Sequence, residues 1–233
     1  MTDFAGKNVV VTGGTGALGS ALVGALIETG AACRVAYVHD GELERFALKN
    51  DPKVELVKVA DLSEEADVAK LYANVTPWAS IHIAGGFDMG AVAATDKAAL
   101  MAQLDGNLVS CFLCCRAAVN AMLSAKQGGR IVNVAARPAL EPRLGAGMAA
   151  YTVAKSGVAT LTIALAEEVA KHGILVNAVA PSIMDTPANR KAMLKADFDA
   201  WPKVEEVAAT IAFLASPGNK VTRGAIVPVY GKS

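Results

Sequence analysis

The sequence predicts an α/β fold in which a doubly wound parallel sheet of about seven strands carries helices on both faces. Three observations predict it. Short apolar runs alternate with helical patterns along all 233 residues, a glycine-rich turn follows the first run, and no linker, repeat or low-complexity segment divides the chain. Alternation of this kind is typical of parallel strands covered by helices. We therefore expect a single domain over residues 1–233.

The predicted strands are apolar and mostly β-branched, and turn residues or helical patterns separate them. They are residues 9–11, 33–38, 54–59, 81–83, 131–134, 174–179 and 225–229. Helices are expected in the gaps, with the longest at about 96–124 and 149–171.

Residues 181–202 are the least regular part of the chain. Pro181, Pro187 and Pro202 interrupt a polar helical pattern there. A segment of this kind near the end of a nucleotide-binding fold is a candidate substrate lid.

The composition excludes several classes of protein. Apolar residues make up 53% of the chain, so a large core can form and disorder is not expected. The 22 basic residues balance the 22 acidic ones, which gives no electrostatic support for binding nucleic acid or an anionic membrane. The first residues lack the pattern of a secretory signal, and the apolar runs are interrupted before they reach bilayer length. We expect a cytoplasmic protein.

The four cysteines predict neither disulfides nor a metal site. Cys111, Cys114 and Cys115 fall in one predicted helix, and Cys33 lies far away in a predicted strand. This spacing fits neither disulfide pairing nor zinc binding. We expect buried, reduced thiols and no metal.

A glycine-rich turn, Thr12-Gly13-Gly14-Thr15-Gly16-Ala17-Leu18-Gly19, joins the first strand to the first helix. Glycines at this place let the backbone turn tightly and approach a pyrophosphate, whose charge the helix N-terminus favours. The sequence therefore predicts a site for NAD or NADP. The residues expected to bind it are Gly13, Thr15, Gly16, Ala17, Leu18 and Gly19.

The adenosine end of the cofactor is expected beyond the second strand, which ends in Val38-His39-Asp40. An acidic group there bonds a ribose 2′-hydroxyl, whereas an arginine accepts a 2′-phosphate. Asp40 fits the first role and His39 fits either, and the glycine turn contains no Lys or Arg, so NAD is favoured over NADP. Asp61-Leu62, after the third strand, either contacts the adenine or begins a helix.

A tyrosine and a lysine four residues apart, Tyr151 and Lys155, fall in the second long predicted helix. Four residues is about one turn, so the two side chains share a face. An ammonium beside a phenol favours the phenolate, and we expect it to lower the pKa of Tyr151. Such a phenol serves as a general acid or base. Together with the nucleotide site, the pair predicts hydride chemistry on a nicotinamide.

These motifs resemble those of the short-chain dehydrogenase/reductase family, and the resemblance covers essentially the whole chain. It rests on the turn from Thr12 to Gly19, Ala84-Gly85, Asn107, Tyr151-x3-Lys155, and Val176-Asn177 with Pro181 and Thr186. The resemblance implies a Rossmann-type fold, NAD or NADP as cofactor, a small-molecule substrate, and homodimers or homotetramers paired through the two long helices.

The resemblance also implies roles for individual residues. Tyr151 is the catalytic acid or base, Lys155 tunes it and bonds the nicotinamide ribose, and Asn107 holds a water in a relay toward Lys155. The interpretation of Asn107 as a locally bonded helix residue stays open. The residues implied to line the cofactor are Ala84, Gly85, Gly86, Pro181, Met184 and Thr186.

The chain departs from the family at the end of the fifth strand, where Ala136 stands in place of a serine that helps fix the substrate oxygen. Dihydropteridine reductases and their relatives lack this serine, and Ala84-Gly85-Gly86-Phe87 resembles their segment at this place. The resemblance to them implies reduction of a quinonoid or otherwise activated acceptor. Phe87 either stacks on such a substrate or belongs to the core, and Trp201 either closes the pocket or anchors the lid.

Three functions remain open at this point. The first is reduction of the activated acceptor, the second is an ordinary carbonyl reductase or alcohol dehydrogenase, and the third is a regulator that binds NAD(P)H without turnover. The presence of Asn107, Tyr151 and Lys155 together disfavours the regulator.

Overall fold

The computed structural model describes residues 3–233 and contains one seven-stranded parallel sheet in the order β3-β2-β1-β4-β5-β6-β7. The strands are β1 Asn8–Thr12, β2 Ala32–Tyr37, β3 Val54–Lys58, β4 Ala79–His82, β5 Gly129–Val134, β6 Ile174–Pro181 and β7 Ile226–Val229. All seven predicted strands are confirmed, with ends that differ by a few residues.

The α-helices lie between the strands. They are α1 Ala17–Glu28, α2 Asp40–Arg45, α3 Glu65–Tyr72, α4 Lys97–Leu104, α5 Ser110–Ala125, α6 Arg137–Leu140, α7 Ala149–Val169, α8 Pro187–Ala192 and α9 Val204–Ala215. A π-helical turn, Asp105–Val109, joins α4 to α5, and together they form one long helix, Lys97–Ala125. Both predicted long helices are thereby confirmed.

Side chains of each central strand alternate between two buried clusters, one on each face of the sheet. Val9 and Val11 point toward α1 and α9, whereas Val10 points toward α3, α5 and α7. Because successive side chains of a strand face opposite ways, a strand buried on both sides is expected to be largely apolar at consecutive positions. This explains the continuous Val9-Val10-Val11 run.

The two long helices, Lys97–Ala125 and Ala149–His172, are long and apolar enough to cross a bilayer by length and composition alone. The expectation that apolar runs stop short of bilayer length is therefore wrong for these helices. Their apolar content has another use in this fold, since Cys114, Ala118 and Val158 pack into the core beneath the sheet. A core helix of an α/β fold passes the same length and composition criteria.

The direction of winding changes between β1 and β4, which lie side by side although β2 and β3 intervene in sequence. Ligands of open parallel sheets bind where the winding changes, outside the carboxyl ends of the strands. The glycine turn after β1, the segment from Ile83 after β4 and the segment from Ala135 after β5 all begin at this edge.

Candidate active site

The glycine turn has the close packing that a nucleotide cradle requires. Gly13 has φ +67°, and a Cβ there would lie 2.7 Å from the amide nitrogen of Ala84. A Cβ on Gly19 would lie 2.1 Å from the carbonyl oxygen of Gly13. Only glycine permits these approaches, so the turn keeps α1 directly against β1. This geometry fits a dinucleotide.

The N-terminus of α1 is open to an anion. Gly16 precedes the helix, no side chain caps it, and its first turn contains no acidic residue. The free N–H groups and the helix dipole there favour a phosphate. Gly16 and Ala17 are exposed. Leu18 is buried and lines a cavity that Tyr151 and Lys155 also line.

Glu42, which the sequence analysis missed, is the acidic group that faces the glycine turn. Its carboxylate accepts hydrogen bonds from the Thr15 hydroxyl and from the amides of Val38 (3.2 Å) and His39 (2.9 Å). Partial burial opposes its ionisation, but the bonds from Thr15, His39 and Val38 outweigh burial and lower its pKa. An acidic residue three positions after a helix N-cap often reaches back to the chain before the helix, and that spacing was the signal available.

Asp40 was expected at this place, and the structure orients it elsewhere. Its carboxylate accepts two hydrogen bonds from the Lys58 ammonium, at 2.7 and 2.8 Å, on the exposed edge of β3. The preference of Asp40 for a neighbouring cation explains the difference, and the interaction of Asp40 with the ribose is not supported. His39 is the N-cap residue of α2.

Asp61 and Leu62 form a turn just before α3, whose N-cap residue is Glu64. The carboxylate of Asp61 accepts bonds from the amide and hydroxyl of Ser63, both at 2.8 Å. Leu62 packs into the core with Val68 of α3. Contact with the adenine stays a prediction.

Tyr151 and Lys155 lie on one face of α7 and line the same cavity, as the spacing predicts. The Lys155 ammonium is buried and donates to the carbonyl oxygen of Val134 at 2.8 Å. Burial lowers the pKa of Lys155 to about 8, partly opposed by Cys111. The amine is still mostly protonated at neutral pH.

The expectation of a lowered pKa for Tyr151 is wrong for this cofactor-free geometry. Burial of the phenol raises the pKa of Tyr151 to about 12. The Lys155 ammonium lies 6.0 Å from the centre of the Tyr151 ring and donates a hydrogen bond to the Val134 carbonyl oxygen. At this position its charge does not cancel the effect of burial on the pKa of Tyr151. At neutral pH Tyr151 is a protonated phenol, which is a proton donor.

Asn107 lies in the π-helical turn and is fully buried. Its amide nitrogen donates to the carbonyl oxygens of Gly86 and Gln103, both at 3.0 Å, which fixes the amide orientation. Among the described residues, its Oδ1 is the one buried side-chain polar atom that lacks a partner. A Cβ on Gly85 would lie 2.5 Å from this oxygen and 3.3 Å from the Lys155 nitrogen. Oδ1 and the Lys155 nitrogen therefore both lie close to the Gly85 backbone, and Oδ1 is a buried acceptor that a hydrogen-bond donor would satisfy.

The catalytic cavity has a volume of about 210 Å³ and gathers most of the residues that were expected to line it. They are Leu18, Gly85, Gly86, Phe87, Asn107, Ala136, Tyr151, Lys155, Pro181 and Met184, joined by Ile83, Val134, Ala135 and Ser182. Phe87 is exposed, and its ring meets that of Tyr151 edge-on with centres 5.0 Å apart. The core interpretation of Phe87 is therefore wrong.

Three expected residues lie outside the cavity wall. Ala84 lies against the glycine turn, where its amide donates to the Thr12 hydroxyl at 3.2 Å. Trp201 is buried, with its ring centre 5.0 Å from that of Phe198, and it anchors the base of residues 181–202. Thr186 caps α8 by accepting a hydrogen bond from the Asn189 amide at 3.2 Å. The side chains of Trp201 and Thr186 are committed to the structure of the candidate lid.

The chain is similar to known dehydrogenases along nearly its whole length. Residues 7–197 match the family model described as short chain dehydrogenase. The chain belongs to the short-chain dehydrogenase family. It is an oxidoreductase of the type that uses NAD or NADP.

Individual relatives support this assignment. The chain is 34% identical to a galactitol 2-dehydrogenase of Rhizobium johnstonii, over 96% of this chain and 93% of that protein. It is also 34% identical to a 2,3-dihydroxy-2,3-dihydro-p-cumate dehydrogenase of Pseudomonas putida, over 98% and 94%. A crystal structure of a proposed gluconate dehydrogenase from Agrobacterium tumefaciens superposes with a TM-score of 0.90 at 27% identity, covering 99% of this chain and 96% of that one.

A buried hydrogen-bond chain ties α7 of this short-chain dehydrogenase to the sheet. The Thr162 hydroxyl of α7 donates to a carbonyl of the preceding turn (2.8 Å) and accepts from the Asn133 amide nitrogen (2.9 Å). Asn133 Oδ1 faces His82 Nδ1 at 2.8 Å, and His82 Nε2 faces the Ser80 hydroxyl at 2.8 Å, which is 2.6 Å from Tyr72. Since Oδ1 only accepts, Nδ1 of His82 carries the proton. These hydrogen bonds connect α7 to β5 and, through His82, to β4.

The same proton assignment argues against a metal site at His82. The ligand atoms of His82, Cys111 and Cys115 lie within 4.8 Å of one another and are all buried. However, Nδ1 of His82 is protonated and Nε2 accepts from Ser80, so neither ring nitrogen offers a free lone pair. All four cysteines are free and buried, as expected.

Proposed function

We propose that the protein is an NAD-dependent oxidoreductase that interconverts a secondary alcohol and a ketone, with Tyr151 as the acid or base. The observation that carries this proposal is the meeting of Tyr151, Lys155 and Asn107 in one cavity at the carboxyl edge of the sheet, next to the glycine turn. The similarity to named dehydrogenases supports it.

The residues present fit a nicotinamide dinucleotide. The turn from Gly13 to Gly19 and the open N-terminus of α1 suit its pyrophosphate, and Gly85, Pro181 and Met184 border the space for its ring. When bound, the nicotinamide supplies or accepts hydride.

The chain's own side chains provide proton transfer. Tyr151 is protonated at neutral pH and donates its proton to a substrate oxygen in the reducing direction. Lys155 holds a positive charge near the phenol, which stabilises the phenolate left after Tyr151 has donated its proton. The unpartnered Oδ1 of Asn107 fits a bridging water toward Lys155.

A substrate panel tests the function. We expect oxidation of secondary alcohols with reduction of NAD⁺, and reduction of the matching ketones with consumption of NADH, both followed by absorbance at 340 nm. Tight binding of NADH with no turnover of any alcohol, ketone or quinonoid dihydropterin would favour the regulator.

Glu42 supports the preference for NAD over NADP. Its carboxylate lies against Thr15 of the glycine turn, beside the end of β2, where the ribose 2′-position is expected. A 2′-phosphate beside an ionised carboxylate is repelled.

We expect Glu42→Gln to raise the ratio of kcat/KM for NADP⁺ over NAD⁺ about tenfold, because glutamine removes the charge, while its Oε1 can still accept from the amides of Val38 and His39 and its Nε2 can donate to the Thr15 hydroxyl. The control is Glu44→Gln, which removes a charge from the same helix without touching the turn. An unchanged ratio in Glu42→Gln would show that another group reads the 2′-position.

Reduction of an activated acceptor, as by dihydropteridine reductases, is a second candidate. Ala136 lines the cavity and offers no hydroxyl, and Phe87 presents an exposed ring beside Tyr151. A quinonoid acceptor needs less polarisation by the enzyme than a ketone carbonyl does, and its planar face can stack on the Phe87 ring. Turnover of quinonoid dihydropterin at least about tenfold faster than of any ketone in the panel would favour this candidate.

We also propose that two or four copies associate through the long helices. Phe112, Val153 and Ile163 are about half exposed on α5 and α7, which is apolar surface suited to a partner helix. Sedimentation should give a dimer or tetramer mass, and Phe112→Ser combined with Ile163→Ser should lower it. A monomer mass for the wild type would contradict the proposal.

A further inference from the structure

We infer that the substrate of this site is an uncharged, largely apolar alcohol or ketone, rather than a polyol or a carboxylate. The inference rests on the proposed function and adds the substrate class. Three independent features of the cavity and its surroundings lead to it.

The first feature is the set of polar groups inside the cavity. Of its lining residues, only Tyr151 and Lys155 carry ionisable side chains. The Lys155 ammonium is buried and uses one of its three N–H donors on the Val134 carbonyl oxygen at 2.8 Å, so the cavity contains one cation that already has a backbone acceptor. Besides these, only Asn107 and Ser182 have polar side chains, and the Ser182 hydroxyl donates to the Tyr230 carbonyl oxygen at 3.0 Å. A polyol buried here would leave most of its hydroxyls without partners.

The second feature is the state of the nearby cations. Arg137, next to Ala136, pairs with Glu141 at 3.1 Å, and its guanidinium lies 4.6 Å from the centre of the Tyr230 ring. Within the candidate lid, Arg190 pairs with Asp185.

Lys203, just after the lid, pairs with the same Asp185 carboxylate. These two bonds lower the pKa of Asp185 well below its usual range, so the cluster stays ion-paired at neutral pH. Arg143, Lys191 and Lys195 also lie on these segments, but none lines the cavity. An acidic substrate therefore meets no cation near Tyr151 other than the buried Lys155 ammonium.

The third feature is a set of exposed apolar side chains on the segments at the carboxyl edge of the sheet, where the cavity also lies. They belong to the three segments that leave the carboxyl ends of β4, β5 and β6. We name them the apolar rim: Phe87 (58% exposed), Met89 (62%), Leu144 (47%), Ile183 (45%) and Leu194 (80%). Large apolar side chains grouped at the mouth of a cavity mark a binding surface.

The segments of the rim lie next to one another. The amide of Gly90 donates to the carbonyl oxygen of Gly147 at 2.8 Å, which joins the segment after β4 to the start of α7. Phe87 meets Tyr151 edge-on, so the rim is continuous with the catalytic group. A ligand that reaches Tyr151 meets the Phe87 ring, and burial of the exposed side chains of the rim against an apolar substrate would stabilise the complex.

Matched substrates test the inference. With NAD⁺, methyl 4-hydroxycyclohexanecarboxylate should show kcat/KM at least about tenfold above the free acid and about a hundredfold above galactitol. Equal or better turnover of the acid or of galactitol overturns the inference and leaves the proposed function standing. If none is oxidised, binding of the keto ester and keto acid to the NADH-loaded protein decides. If the keto ester then binds no more tightly than the keto acid, the inference is overturned. The proposed function fails by a different result, which is the absence of turnover with every substrate of the full panel.

A pair of variants tests the rim itself. Leu194→Ser should raise KM for the methyl ester about threefold to tenfold and leave kcat and the Kd of NADH unchanged. Val221→Ser is the control, because Val221 is 85% exposed but precedes β7 at the opposite edge of the sheet. An unchanged KM in Leu194→Ser overturns the role of the rim. A change in sedimentation mass without a change in KM assigns the rim to contact with a second copy, which also overturns it.

Discussion

Replacement of Tyr151 by phenylalanine is expected to lower kcat by a factor of about 10² to 10⁴, because the variant loses the only phenol in the cavity. Phenylalanine keeps the ring and therefore its edge-on contact with Phe87. The cradle around Gly13 and the N-terminus of α1 are untouched, so the Kd of NADH should stay within about twofold of the wild type. Steady-state kinetics and titration of NADH fluorescence measure the two quantities.

This pairing of a lost kcat with a retained Kd separates catalysis from folding. A misfolded variant would lose cofactor affinity as well. A variant that binds NADH normally and turns over at the wild-type rate would remove Tyr151 from the chemistry. Tyr151 and Lys155 would then have structural roles only, as an aromatic ring and a lysine stem that pack along apolar surface.

Replacement of Gly85 by alanine is expected to lower kcat/KM about a hundredfold. The new Cβ would lie 2.5 Å from Asn107 Oδ1 and 3.3 Å from the Lys155 nitrogen, and it would occupy the space between them. Asn107 and Lys155 are both held by backbone carbonyls, so neither can move without breaking a buried hydrogen bond. The loss of one such bond and overpacking should also reduce the free energy of unfolding by about 1–3 kcal/mol.

Gly106→Ala is the matched control, since Gly106 adjoins Asn107 in the same π-helical turn and a Cβ there meets nothing within 4 Å. It adds the same methyl group beside the same residue without entering the space near Lys155. We expect wild-type kcat/KM for Gly106→Ala. Equal activity of the Gly85 and Gly106 variants would show that the space between Asn107 and Lys155 has no role in turnover.

The parts of the fold and site that depend on local spacing were predictable from the sequence. The strands follow from β-branched runs buried on both sides, and the sharing of one helix face by Tyr151 and Lys155 follows from four-residue spacing. Glycine at positions 13 and 19 likewise reports a backbone constraint that no other residue satisfies.

The remaining features depend on contacts that spacing does not encode. Asp40 was expected at the ribose, but a lysine on the neighbouring strand binds it, and Glu42 reaches the glycine turn instead. The sign of the Tyr151 pKa shift depends on burial of the phenol and on where the Lys155 ammonium finds its acceptor. Neither is visible in a one-dimensional pattern.

His82 illustrates the same limit in the core. Its position in the sequence beside Ile83 gives no indication that its side chain is hydrogen-bonded. In the folded sheet its ring nitrogens form hydrogen bonds with Asn133 of β5 and Ser80 of β4. Ser80 lies two residues before His82 on the same strand and therefore on the same face, whereas Asn133 comes from the adjacent strand, whose register only the structure fixes. As a result, the support of the catalytic helix by buried polar groups was not foreseen.

Transfer of deuterium from NADH labelled at C4 of the nicotinamide tests the central claim most directly. With a cyclic ketone as substrate, mass spectrometry of the alcohol product should find one deuterium on the carbinol carbon for the wild type. Tyr151→Phe should form almost no product. Alcohol formed without deuterium, when both hydrogens at C4 are labelled, would contradict direct hydride transfer, and labelled alcohol formed at the wild-type rate by Tyr151→Phe would contradict the role of the phenol.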